Sequence, residues 1–131
     1  MKPRSRGRAT SERLARRWEQ ADQATRLLTE VPDLLSLRLE IVEDSEVGGS
    51  MAATKHARVF VLASTPAFFF IPCGDPRCEE GGHDITDELM RQLRAHHEQS
   101  EGHDACSGSI GSYPCTRVIR YSALASFRAP P

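Results

Sequence analysis

Long apolar runs are missing from this chain: none approaches the ~20 residues that a bilayer-spanning helix requires. Its basic beginning, MKPRSRGRATSERLARRW, leads into no hydrophobic segment, so no secretory leader is expected there. A cytoplasmic protein without a membrane partner is therefore expected, in a compartment where thiols stay reduced. Aromatic residues are scarce at 6%, and four of the five phenylalanines (Phe60, Phe68, Phe69 and Phe70) cluster in one part of the sequence. That leaves no RNP-like stacking pattern for RNA, because the FFF run is too continuously apolar to serve as a platform. Lysine is nearly absent, and no glycine-rich phosphate loop exists, since Gly48-Gly49 lacks the lysine and spacing such a loop needs. No internal repeat is present.

What remains is a chain of 131 residues, 39% apolar and 27% charged, a balance suited to one modest globular core. The net charge of −1 conceals an asymmetry. Lys2, Arg4, Arg6, Arg8, Arg13, Arg16 and Arg17 face only Glu12, whereas nine acids between Cys73 and Asp104 face only Arg77, Arg91 and Arg94. The two ends of the molecule should therefore choose different partners.

Residues 1–10 read as a disordered basic arm and 11–131 as a single domain with a cysteine-rich insertion at 73–115. Thr10 or Ser11 can cap a helix in which Leu14, Trp18, Ala21, Thr25 and Leu28 form an apolar stripe ended by Pro32. Trp18 on that stripe is expected in the core. LLSLRLEIVED alternates, with Leu35, Leu37, Leu39 and Ile41 on one face, and reads as a half-buried strand. The Gly48-Gly49 connector should be flexible. ARVFVLAS and AFFFIP read as two further strands, the latter covered on both faces. DITDELMRQLRAHHEQ reads as a helix capped by Asp84 or Thr86, with Leu89, Met90 and Leu93 inward, and His96 and His97 near its C-terminal dipole. TRVIRYSALASFR alternates Ile119, Tyr121, Ala123, Ala125 and Phe127 as a last strand. The order α-β-β-β-α-β predicts an α+β fold with a mostly antiparallel sheet and two helices.

The chemistry lies in four cysteines arranged as two pairs. Cys73 and Cys78 enclose four residues, Cys106 and Cys115 enclose eight, and the second helix separates the pairs. Two short-range pairs can each close a turn around one edge of a tetrahedral ion, and Gly74-Asp75-Pro76 and Gly108, Gly111 and Pro114 supply the turns. One structural zinc held by Cys73, Cys78, Cys106 and Cys115 is the expected cofactor, in preference to free thiols or disulfides. His83, freed by Gly81-Gly82, is the alternative ligand, and His103 a weaker one. If the strand ending at Cys73 neighbours the strand beginning at Cys115, those two residues start side by side. The spacings depart from those of zinc ribbons and treble clefs.

Enzyme motifs break at identifiable positions. His96-His97-Glu98 and Pro114-Cys115 begin a zinc-deaminase pattern, but residue 118 is Val where the second cysteine belongs. Glu101 stands where HExxH requires histidine. Asp75, Glu79 and Glu80 beside Cys73 and Cys78 should raise the thiol pKa and oppose a nucleophilic role. The acidic surroundings and the net negative charge of a four-thiolate site repel phosphate. A non-catalytic, zinc-stabilised scaffold that engages a protein partner is thus expected. The alternative is a nucleic-acid-associated regulator binding DNA or RNA through Arg4, Arg6, Arg8, Arg13, Arg16 and Arg17. An enzyme using Cys106 or His83 is the third possibility.

Overall fold

Period-two alternation in two long segments builds the centre of the fold. The computed structural model describes residues 15–45 and 54–129. The arm proposed for 1–10, with Arg4, Arg6 and Arg8, as well as Arg13 and the Gly48-Gly49 connector, lie outside the described residues. In chain order the elements are helix α1 over 15–23, a single helical turn α2 (Leu27–Glu30), strands β1 (Leu34–Ser45) and β2 (Thr54–Val59), and a 3-10 turn at Leu62–Ser64. There follow β3 (Phe70–Ile71), β4 (His83–Asp84), α3 (Thr86–Arg94), β5 (Gln99–Ala105), β6 (Ser109–Ile110), β7 (Tyr113–Pro114) and β8 (Arg117–Phe127). The main sheet is antiparallel throughout, in the order β2-β1-β8-β5. The expected α+β architecture with its antiparallel sheet is present.

One face of this sheet carries Leu37, Leu39 and Ile41 from β1 and Ile119, Tyr121 and Ala123 from β8, all buried. Leu89, Met90 and Leu93 of α3 cover it, joined by Leu27, Val31, Phe69 and Ile71. Helix α3 forms where the sequence places it because its acids (Asp87, Glu88) lie in the first turn and its bases (Arg91, Arg94) in the last, complementing the helix dipole. Asp84 Oδ1 accepts from the Thr86 amide at 3.0 Å at its start. The helix ends earlier than expected, at Arg94, where His96 adopts a left-handed φ of 58°. His96 pairs with Asp33 at 2.8 Å and stacks near Phe127. The residues after it form β5 instead of helix and loop.

Four other expectations are corrected, each for a local reason. Leu35 is 53% exposed while Leu34 is 3% exposed, because the β1–β8 register shifts between Leu34 and Ser36. One extra residue at such an irregularity reverses the inward alternation upstream of it. The first helix breaks after residue 23, and Trp18 is 68% exposed instead of buried. Its backbone is diverted: Leu27 N donates to Thr65 O (2.9 Å) and Ala67 N to Thr25 O (2.7 Å), so the chain pairs with a crossing segment and Leu27 becomes the anchor. The second strand stops at Val59, and a 3-10 turn held by Thr65 Oγ1 on Val61 O (2.8 Å) replaces its end. AFFFIP shrinks to Phe70–Ile71, which pairs with β4 outside the main sheet. Phe69 N bonds Thr86 Oγ1 (2.8 Å) and Phe69 O accepts from Ile85 N (3.0 Å), so the start of α3 takes the ladder positions.

The register shift can be checked by mutation. Leu34→Ala should cost about 2–4 kcal/mol of unfolding free energy, whereas Leu35→Ala should stay within roughly 0.5–1 kcal/mol. Urea denaturation of both variants distinguishes this packing from the unshifted alternation, which reverses the two results.

Candidate metal centre

Three chain segments converge at one end of the sheet. β1 ends there at Ser45 opposite Arg117, and β5 ends there at Ala105 opposite Val118. Cys106 directly follows β5, and Cys115 leads into β8. The Cys106 amide donates to Arg117 O at 2.8 Å, and the Cys115 amide to Gly108 O at 2.9 Å, which curls the intervening hairpin β6–β7 back on itself. The Cys73–Cys78 turn is brought in by a buried carboxylate: Glu43 of β1 accepts from the Gly74 amide at 2.7 Å. Glu79 and Ser109 then exchange both backbone hydrogen bonds, at 2.7 and 2.9 Å, and join the first loop to the second.

The result is a small sulfur core separate from the main one. Cys78, Cys106 and Cys115 are buried, with Cys73 and Ile110 packed on them. All four Sγ atoms lie within 4.8 Å of one another. Contacts run between the sequence pairs: Cys73 to Cys115 at 3.8 Å and Cys78 to Cys106 at 3.6 Å. These separations far exceed a disulfide bond of about 2.05 Å, and all four cysteines are free. Cys73 and Cys115 adjoin although their strands are not neighbours: β3 pairs with β4, and the loops make the approach.

Amide donors converge on the sulfurs. Asp75 N reaches Cys73 Sγ, Gly108 N reaches Cys106 Sγ, and Gly82 N also reaches Cys106 Sγ, each at 3.4 Å. The first two are matching turns in which a cysteine accepts from the amide two residues on. Asp75 accepts from the Arg77 amide at 2.9 Å and from the Arg77 guanidinium at 3.1 and 2.9 Å, which rigidifies the first turn. Those bonds hold the Asp75 carboxyl down at about 2. Burial raises the Cys73 thiol pKa, and neighbouring thiols add to it. Burial, with the hydrogen bond that Cys78 donates to Cys106 next, pushes Cys78 up to about 12. For Cys106 burial acts in the same direction, but the amides of Gly108 and Gly82 and the adjoining thiols outweigh it and lower the value. The expectation that flanking acids raise the Cys73 and Cys78 thiols therefore names the wrong cause; desolvation does so.

Close approach explains two glycines. A Cβ at Gly81 would strike Cys78 Sγ and Cys106 Sγ, and one at Gly108 would meet Cys78 Sγ and the backbone of Glu79 and Gly81. The Gly81 step serves the sulfurs, not the presentation of His83. His83 is fully buried, its Nδ1 lies 3.0 Å from Asp104 Oδ2, and its Nε2 has no hydrogen-bond partner. It is not among the residues that share the ligand cluster. His103 is exposed on β5. Four cysteines close enough together to hold one metal ion are thus the centre, and the sequence reasoning overlooked Glu43 and the Gly108 approach. An acid in an apolar-alternating strand, at an inward position opposite Ile119, was the available signal for Glu43.

Of the arginines singled out for nucleic acid, Arg16 is exposed, whereas Arg17 stacks over the Phe70 ring at 4.4 Å and bonds Gln20 at 3.1 Å. No helix among the described residues is long and apolar enough to cross a membrane. No protein-family model matches the chain, and neither curated proteins nor solved structures show a significant match.

Gly81→Ala should open the sulfur cluster, lowering both metal content and thermal stability. Gly111→Ala, at the exposed β6–β7 turn where a Cβ meets nothing, should retain the metal and lose only about 1 kcal/mol from its positive φ. Metal analysis and melting curves of the two variants check this.

Proposed function

We propose that the four cysteines bind one zinc ion and that the domain is a non-catalytic, zinc-stapled scaffold for protein interaction. One observation carries this reading. Zinc–sulfur bonds of about 2.3 Å in a tetrahedron put the sulfurs about 3.8 Å apart, and the two Sγ contacts measure 3.6 and 3.8 Å. The amides aimed at Cys73 and Cys106 would offset thiolate charge in such a site. When bound, the ion supplies cross-linking: four protein thiolates leave it no open position for substrate or water. The scaffold role follows from what the ligands join, namely the ends of β5 and β8 and the turn seated on Glu43 of β1. Such binding contributes on the order of 10–16 kcal/mol in small zinc peptides, enough to secure loops that little hydrophobic surface covers.

Native mass spectrometry should find one zinc per chain, lost on acidification with all four thiols then open to alkylation. An unchanged mass with four alkylatable thiols rejects the reading, and loss of two hydrogens per cysteine pair replaces it with disulfides.

Protons should move with the ion. Below pH 9 Cys73 and Cys78 are protonated in the metal-free fold, so zinc must displace their protons, and apparent affinity should rise with pH. The two forms therefore carry opposite pH dependence. Cys78, raised from 9.0 to about 12, makes the metal-free fold bind its proton more tightly than the unfolded chain. That contribution is complete below pH 9 and fades as pH rises toward 12. The zinc-loaded fold instead weakens as acid returns protons to the thiolates. Calorimetric zinc titration in buffers of different ionisation enthalpy counts the protons, and paired melting curves across pH test the sign.

A further inference from the structure

The face of the molecule around Trp18 has no role in the metal site. Trp18, 68% exposed, borders a cavity of about 240 Å³ between α1 and the Phe68–Pro72 segment. Phe60, Phe68 and Phe70, all half-buried, line it, and Phe60 meets Phe69 edge-on at 5.5 Å. Five of the chain's eight aromatics thus line one groove, Phe69 among them also packing into the core. The only charged groups in the lining are Arg17, which also pairs with Asp84 at 3.8 Å, and Arg58.

The strand beside the groove is also uncovered. Arg58 and His56 of β2 lie opposite Leu39 and Ile41 and so face the core side of the sheet. Both are exposed, as are Lys55, Ala57 and Val59 of the same strand. Among the described residues no helix covers β2, whose inner face lies open beside an aromatic pocket with a cationic rim.

We propose that this groove docks an acidic segment of a partner protein that inserts a single apolar side chain among Trp18, Phe60, Phe68 and Phe70, with its carboxylates on Arg58 and Arg17. The inference rests on the interaction-scaffold reading above and names the partner's chemistry. A cavity below the roughly 300–1,000 Å³ of small-molecule pockets suits one side chain, and aromatic and arginine residues together are the composition of interface hot spots. Charge selects the occupant: a lining with two cations and no acid disfavours a basic peptide. Single-stranded nucleic acid would need successive stacking positions along a basic track. Here the aromatics gather around a single groove.

The test is selection of a random short-peptide display library on the purified full chain, followed by fluorescence titration of synthetic hits using Trp18 emission. The selected peptides should carry one aromatic or leucine residue bordered by Asp or Glu. Affinity should fall about tenfold or more in Trp18→Ala and in Arg58→Glu, read by polarisation of labelled peptide. A peptide with Lys in place of its acids should recover binding to Arg58→Glu. Both positions are exposed, so the variants should melt with the parent protein. No enrichment, a proline-rich or basic consensus, indifference to both substitutions, or tighter binding of a single-stranded oligonucleotide at Trp18 each overturns the proposal. The zinc reading fails on the ion count and this one on the peptides, so the two failures are separable.

Discussion

Mutual contact among four clustered sulfurs, three of them buried, is the constraint on which the loop half of this molecule depends. Thiols gathered this tightly gain little from one another as neutral groups, and as thiolates they repel. Holding them together requires backbone to approach sulfur closely from several sides. That need accounts for side-chain-free positions at Gly81 and Gly108, for amides aimed at Cys73 and Cys106, and for the Glu79–Ser109 backbone exchange. The carboxylate of Glu43, buried at the end of β1, then couples the arrangement to the sheet. A cation held at the centre would remove the repulsion and make these close approaches mutually consistent.

Much of this was legible from residue types and spacing. Ile119, Tyr121, Ala123 and Ala125 read inward at period two and are buried, as are Leu37, Leu39 and Ile41. Leu89, Met90 and Leu93 read as one helix face for the same reason: the pattern is long enough that only one register buries it. The four cysteines were legible as one cluster because each loop segment offered turn residues, although His83 competed with them for a ligand position.

What was not legible depended on backbone partners distant in sequence. Trp18 occupies a position that an uninterrupted helix would bury, but hydrogen bonds to Thr65 and from Ala67 break that helix. The apolar character of AFFFIP suggested a full strand, yet Thr86 takes its backbone groups and leaves only two residues paired. β5 was hidden because QSEGHDA has almost no apolar residue to reveal a period; its pairing with β8 is a property of β8, which needs an edge partner. The register shift at Leu34 likewise belongs to the pair of strands and not to either sequence alone.

The exposed tryptophan and the sulfur cluster are linked through one short segment. Phe68–Pro72 forms a wall of the aromatic groove, and the chain enters the first cysteine turn immediately afterwards at Cys73. Phe69 and Ile71 point into the core, so the alternate residues Phe68 and Phe70 are left half-exposed toward the groove. With only two residues paired in β3, little ladder bonding fixes this wall. Its position is set instead by Thr86 at one end and by the Glu43–Gly74 and Cys73 contacts at the other. An ion that immobilised Cys73 would therefore also restrain the aromatic surface a few residues upstream. The same anchoring explains how a domain with few aromatic residues can leave several of them at its surface: their backbone is held from its ends and not by burial of their rings.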